Sequence, residues 1–245
     1  MAVEGRPSDY STACADLKSN LAGLADRVES AARRAGRAPE EITIVAVTKT
    51  VPVETIQHAI ALGVRDIGEN RVQEARGKFD RIGRAVRWHM IGRLQTNKVK
   101  QALKMFDLIH SLDRMGLAEE IDRQARALGI RAQVLIQVNT SREETKAGVA
   151  PEEALDFYRR VRRMPGIVVR GLMTIGPLTD DAERARPCFR ALRSIFDDIR
   201  RSGDSDDDFQ YLSMGMTGDF EIAIEEGANI IRVGTAIFGP RLYNA

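Results

Sequence analysis

Eight short apolar runs punctuate the chain from residue 42 onward, and a stretch with helical spacing of apolar side chains follows each one. The runs are 42–47, 64–67, 86–91, 107–111, 132–138, 167–173, 209–213 and 230–233. They are short and apolar rather than strictly alternating, as parallel strands covered on both faces should be. The spacing predicts helices over 53–62, 71–82, 96–104, 114–128, 151–163, 180–201 and 218–226, with a short one after the last strand. Pro151 suits the first turn of its helix, and Gly63 and Gly129 are helix stops. An additional N-terminal helix over 12–35 carries Leu17, Leu21, Leu24 and Val28 on one face and ends at Gly36 and Pro39.

Eight strand–helix units in 245 residues match an α/β fold of one kind, a single (β/α)8 TIM barrel, which needs roughly 250 residues. A doubly wound open sheet shares the pattern, because the pattern alone does not show closure. No break in composition suggests a second domain, so residues 11–245 are expected to form one barrel domain behind a flexible tail of residues 1–10.

Charge narrows the function classes. Lys+Arg 37 against Asp+Glu 35 leaves no concentrated basic excess of the kind that binds nucleic acid. The densest basic cluster, Arg159, Arg160, Arg162 and Arg163, lies beside Glu152, Glu153 and Asp156 and reads as a solvated helix face. Cys14 and Cys188 fit no metal spacing. The polar N-terminus lacks a secretory signal, and no run approaches the ~20 apolar residues that cross a bilayer. The expectation is a reduced cytoplasmic protein with neither nucleic acid nor membrane as partner.

In a barrel, working residues sit at the C-terminal ends of strands. The first strand, ITIVAVTKT, exits on Lys49. A lysine held between apolar walls at a barrel mouth is a good nucleophile toward an aldehyde; the bland alternative is a lysine that snorkels to solvent or pairs with a carboxylate. The seventh strand exits on Ser213-Met214-Gly215-Met216-Thr217-Gly218-Asp219. Its glycines permit close backbone approach, Thr217 is a candidate helix cap, and free amides at a helix start attract phosphate. Asp219 would repel a phosphate and is expected to point away. The eighth strand exits on Arg232-Val233-Gly234-Thr235. An arginine inside a barrel needs an acceptor, either a carboxylate or a ligand's ring nitrogen. An aldehyde-seeking amine, a phosphate cradle and a cation for a ring nitrogen together outline pyridoxal 5′-phosphate.

These segments resemble the pyridoxal phosphate homeostasis protein family, also called proline synthetase co-transcribed homologues, whose members resemble the barrel of alanine racemase. The resemblance runs from about Ile42 to Gly239. It rests on AVTKT around Lys49, GENRVQE at 68–74, WHMIGRLQTNK at 88–98, TKAGV at 145–149, GLMTIG at 171–176, SMGMTGDFEIAI at 213–224 and IRVGTAIFG at 231–239. It implies that Lys49 holds the cofactor as a Schiff base and that Ser213, Gly215, Met216, Thr217, Gly234 and Thr235 cradle its phosphate. Thr217 stands where many relatives carry serine. The resemblance also implies that Arg232 faces the pyridine nitrogen and that Asn70 lines the pocket. His89 reads as a hydrogen-bonded core histidine, Lys146 as a surface lysine, and Gln95, Asn97 and Lys98 as residues of the mouth or a helix cap. Met173, Met214 and Met216 read as packing residues.

The implied role is vitamin B6 and amino-acid homeostasis: a protein that holds the cofactor without robust catalysis, with PLP-dependent apoenzymes as candidate recipients. A racemase needs an acid/base on each face of the substrate carbon. Alanine racemase takes its second one, a tyrosine, from an added β-domain, which is not expected here. Tyr10, Tyr158, Tyr211 and Tyr243 do not fall at an obvious strand exit. A weak amino-acid racemase and a Schiff-base sugar-phosphate enzyme remain as alternatives.

Overall fold

Eight parallel strands close on themselves in sequence order, β1 Thr43–Val47, β2 Asp66–Glu69, β3 Arg87–Met90, β4 Leu108–Leu112, β5 Ala132–Gln137, β6 Ile167–Met173, β7 Tyr211–Ser213 and β8 Ile230–Val233. The computed structural model describes residues 7–240 except 144, 178 and 206, with side chains from residue 16 onward. Closure is made by β1 on β8, with Thr43 opposite Ile230 and Ala46 opposite Val233. The open-sheet alternative is thereby excluded. Every expected strand is present, each within a few residues of its expected span.

The helices are α1 Pro7–Arg34, α2 Val53–Ala61, α3 Val72–Ile82, α4 Val99–Ala102, α5 Met115–Ala127, α6 Ala154–Val161, α7 Arg186–Arg201, α8 Phe220–Glu225 and α9 Thr235–Phe238. α1 starts five residues ahead of its expected position, so residues 7–10 of the expected tail are helical; residues 1–6 and Tyr243 lie outside the described residues. The helix expected over 96–104 splits into a 3₁₀ turn, Thr96–Lys98, and the four-residue α4. None of the described helices is long and apolar enough to cross a membrane.

Strand side chains alternate between two destinations. One set packs against the helices in a continuous core that includes Ile67, Trp88, Ile109, Ile136, Leu172 and Ile231. The other set points into the barrel. There Val45, Leu108, Leu135, Met173 and Ile230 form a small separate apolar cluster. Polar side chains share this interior: Asp66, His89, His110, Gln137, Ser213 and Arg232 are all buried. Such a filling departs from the branched apolar layers usual in these barrels, and it matters for the site above it.

α1 lies outside the ring, against α2, α8 and α9. Arg27 and Arg34 pair with Glu221 and Glu225, and Asn20 Nδ2 donates to the Ile237 carbonyl at 3.0 Å. α1 thus braces the two helices that follow β7 and β8.

β6 contains an irregularity: Val134 pairs with Val169 and Leu135 with Gly171, so Arg170 is skipped. Gly171 has φ 150°, and a Cβ there would lie 1.9 Å from the Tyr211 carbonyl oxygen. Only glycine lets β6 approach β7 here. Gly171→Ala is expected to cost about 2 kcal/mol, read as a lower urea midpoint at unchanged slope. A midpoint equal to wild type would show that the contact is not needed for pairing.

Candidate functional site

Lys49 leaves β1 at the C-terminal mouth between two anchored threonines. Thr48 is fully buried, and its hydroxyl donates to Glu69 Oε1 at 2.6 Å. Thr50 adopts φ 64°, a left-handed conformation that is unusual for a β-branched residue. Its amide donates to Glu74 Oε1 at 2.5 Å. Lys78 ties both anchors together. Its ammonium donates to the Thr48 carbonyl, to Glu69 and to Glu74, each at 2.7 Å. Burial pushes the Glu69 carboxyl up, against the pull of Lys78 and Thr48. The GENRVQE segment therefore acts largely from beneath: Glu69 and Glu74 set the backbone that carries Lys49.

The Lys49 side chain is half-buried, and its ammonium makes no hydrogen bond or ion pair among the described residues; only the Lys49 carbonyl is engaged, by the Thr50 hydroxyl at 2.6 Å. The ammonium pairs with no carboxylate among the described residues. Lys49 lines a cavity of about 360 Å³ with Asn70, Arg93, Gln137, Asn139, Lys146, Met216 and Arg232, among apolar neighbours such as Val47, Ile91, Val138 and Ile175. The walls are mixed, not apolar as expected from the strand alone.

Arg232 is 4% exposed. Its Nη1 donates to Ser213 Oγ at 2.6 Å and its Nη2 to the Thr174 carbonyl at 2.8 Å. The acceptors are thus a hydroxyl and a carbonyl of the barrel interior. Burial lowers its pKa to about 10, so it stays cationic at neutral pH. Asn70 follows β2 and lines the same cavity. Gly92 faces it across the gap between strand exits, and a Cβ there would sit 2.4 Å from the Asn70 carbonyl oxygen.

The two glycine-containing exits meet. Gly215 has φ 90°, and a Cβ there would strike Ala223 Cβ at 2.6 Å. Thr217 does not cap α8; its Oγ1 accepts the Gly234 amide at 3.4 Å and joins the β7 exit to the β8 exit. Asp219 turns into the loop and accepts the Met216 amide at 2.6 Å. No hydrogen bond among the described residues uses the amides of Thr235 and Ala236 at the start of α9. Ser213 lies deeper, fully buried, with its hydroxyl engaged by Arg232 and by His110 Nδ1 at 2.9 Å.

Lys146 departs from its expected place on the surface. It is half-buried, lines the Lys49 cavity, and donates to Glu143 Oε1 at 2.6 Å and to the Gly176 carbonyl at 3.0 Å. Met173 and Met214 are fully buried packing residues, whereas Met216 reaches the cavity. Gln95, Asn97 and Lys98 line a wider adjoining cavity of about 1070 Å³, with Arg71, Arg93 and Arg114. Arg93, Gln137 and Asn139 were not expected at the site; the signal available was their position at or beyond the ends of strands three and five.

The sequence family described as alanine racemase, N-terminal domain, matches residues 19–241. A pyridoxal phosphate homeostasis protein of Aquifex aeolicus is 44% identical over 224 residues, which is 91% of this chain and 97% of that protein. The chain belongs to the pyridoxal phosphate homeostasis protein family. Among solved structures, an unknown protein from Bifidobacterium adolescentis is 40% identical with a TM-score of 0.86, covering 93% of this chain and 96% of that one. PipY of Synechococcus elongatus, solved with pyridoxal phosphate bound, is 34% identical with a TM-score of 0.79 and covers 91% of this chain and 100% of its own.

In this member of the pyridoxal phosphate homeostasis family, the support under Lys49 can be tested directly. Lys78→Met leaves Glu69 buried beside Glu74 with no cation between them. Breaking a buried pair from one side costs about 3–5 kcal/mol. Chemical denaturation is expected to show a loss of that size, and a loss below about 1 kcal/mol would mean that the pair behaves as a surface ion pair.

Proposed function

We propose that this protein binds pyridoxal 5′-phosphate as a Schiff base on Lys49 and serves vitamin B6 and amino-acid homeostasis as a holder of the cofactor. The observation that carries the reading is the shared cavity. It presents a primary amine unpartnered among the described residues together with the buried Arg232 cation, and Met216 of the β7 exit lines it too; Thr235 and Ala236, whose amides are unused among the described residues, line a neighbouring cavity with Thr50 and Val51.

The residues present fit the group. Lys49 would supply the amine that holds the aldehyde carbon. Gly215, Met216, Thr217, Gly234 and Thr235 supply the backbone and hydroxyl groups for the phosphate. Asn70 and Arg232 line the cavity that would take the ring, and Arg232 would be the cation facing its nitrogen. When bound, pyridoxal phosphate offers an electron sink whose strength depends on protonation of that nitrogen. A guanidinium facing the nitrogen disfavours its protonation, so Arg232 weakens the sink. That electronic setting, and the absence of a tyrosine among the described residues lining the cavity, favour retention of the cofactor over racemisation. Apoenzymes that accept the cofactor are the matching partners for such a holder.

Borohydride reduction after incubation with pyridoxal phosphate, followed by peptide mass spectrometry, tests the assignment. The label is expected on Lys49 and lost in Lys49→Ala, while phosphate-driven binding persists in part. Equal labelling in the variant, or a label confined to Lys146, would overturn it. D-isomer formed from L-alanine above the Lys49→Ala background would favour the weak racemase instead.

A further inference from the structure

A single file of hydrogen bonds runs through the barrel interior to Arg232. Arg232 Nη1 meets Ser213 Oγ at 2.6 Å. Ser213 Oγ meets His110 Nδ1 at 2.9 Å. His110 Nε2 meets His89 Nδ1 at 2.9 Å, and His89 Nε2 meets Asp66 Oδ1 at 2.8 Å. Arg87, largely exposed at the start of β3, closes the file with Nη2 on Asp66 Oδ2 at 2.8 Å. The file crosses from the N-terminal end of the barrel to the Lys49 cavity and draws on β2, β3, β4, β7 and β8.

Chemistry fixes the direction at the two ends of the file. A guanidinium only donates, and an ionised carboxylate only accepts. Asp66 is held below its ordinary range because the hydrogen bonds from His89 and Arg87 outweigh its burial. His110 is fully buried, and burial together with His89 and Arg232 holds its pKa well below the ordinary histidine value, so it is neutral. Arg232 must donate to Ser213. Asp66 accepts from His89 Nε2–H; with Nδ1 of His89 left bare, that nitrogen accepts from His110 Nε2–H. His110 Nδ1 then accepts the Ser213 hydroxyl proton. One hydrogen serves each contact, and all point from Arg232 toward Asp66.

We propose that Ser213, His110, His89 and Asp66 are positioning residues whose aligned hydrogen bonds fix the Arg232 guanidinium against the ring of the bound cofactor. This rests on the cofactor reading above. It also gives Ser213 a different task from its neighbours in the β7 exit. Ser213 holds the cation that meets the ring, while Gly215, Met216 and Thr217 remain for the phosphate. A buried cation costs too much to leave loosely held, and a hydroxyl free to rotate would not hold it. The imidazole pair removes that freedom by demanding the hydroxyl's proton.

Two measurements test the file. In the cofactor-free protein, nitrogen-15 NMR of the three histidines is expected to show His89 and His110 carrying a proton on Nε2 and none on Nδ1; a proton on Nδ1 of either one overturns the alignment. In the loaded protein, Ser213→Ala and His110→Leu are each expected to move the absorption maximum of the bound cofactor in the same direction as Arg232→Ala. Affinity for pyridoxal phosphate is expected to fall about tenfold, as for one lost hydrogen bond to a charged group. Competition by inorganic phosphate is expected to stay at the wild-type level in Ser213→Ala. A folded Ser213→Ala protein, labelled on Lys49 and spectrally identical to wild type, overturns the positioning role. Failure of wild type to label on Lys49 would overturn the cofactor reading, and the imidazole tautomers would still report on the file.

Discussion

Hydrogen bonding between β1 and β8 sets everything above it. The register that places Thr43 beside Ile230 and Ala46 beside Val233 brings the first exit of the chain next to its last two. Lys49 and Arg232, 183 residues apart in sequence, line one cavity only because the ring closes. An open sheet of the same eight units would leave them on opposite edges. The α1 ion pairs with Glu221 and Glu225 brace the same seam from outside.

The interior of the ring divides between two demands. Near the axis, five apolar side chains fill space and exclude water. Threaded past them are side chains that must satisfy one another, because an unmatched polar group there costs more than a matched one contributes. Two cations terminate the polar file, one largely exposed at the bottom and one buried at the top. The carboxylate of Asp66 and the backbone carbonyl of Thr174 complete their coordination by oxygen. The buried Glu69–Lys78 pair repeats the arrangement under Lys49. In both places a charged residue at the mouth rests on a polar foundation.

The strands were legible because burial on both faces imposes apolar runs, and the helices because one face of each is apolar. Where local sequence misled, tertiary structure had intervened. The 96–104 helix breaks after one turn of 3₁₀, since Thr96–Lys98 lines a cavity instead of packing. Thr217 looked like a cap but spends its hydroxyl on the neighbouring exit. Lys146 looked solvated because its segment is polar, yet the loop folds back over the mouth. His89 was readable as a core histidine, but His110 and its link to Ser213 were not: side chains 103 residues apart leave no periodic trace. Nor does a sequence disclose which hydroxyl supports a cation and which remains free.

The wide cavity beside the Lys49 site carries one further consequence. Arg71, Arg93, Lys98 and Arg114 line it, and Asn70, Gly92 and Arg93 belong to both cavities. An anion arriving from that side passes a cationic vestibule before it meets the amine. Encounter rates should therefore be higher in dilute buffer than in brine, since field focusing of this kind fades as mobile ions accumulate.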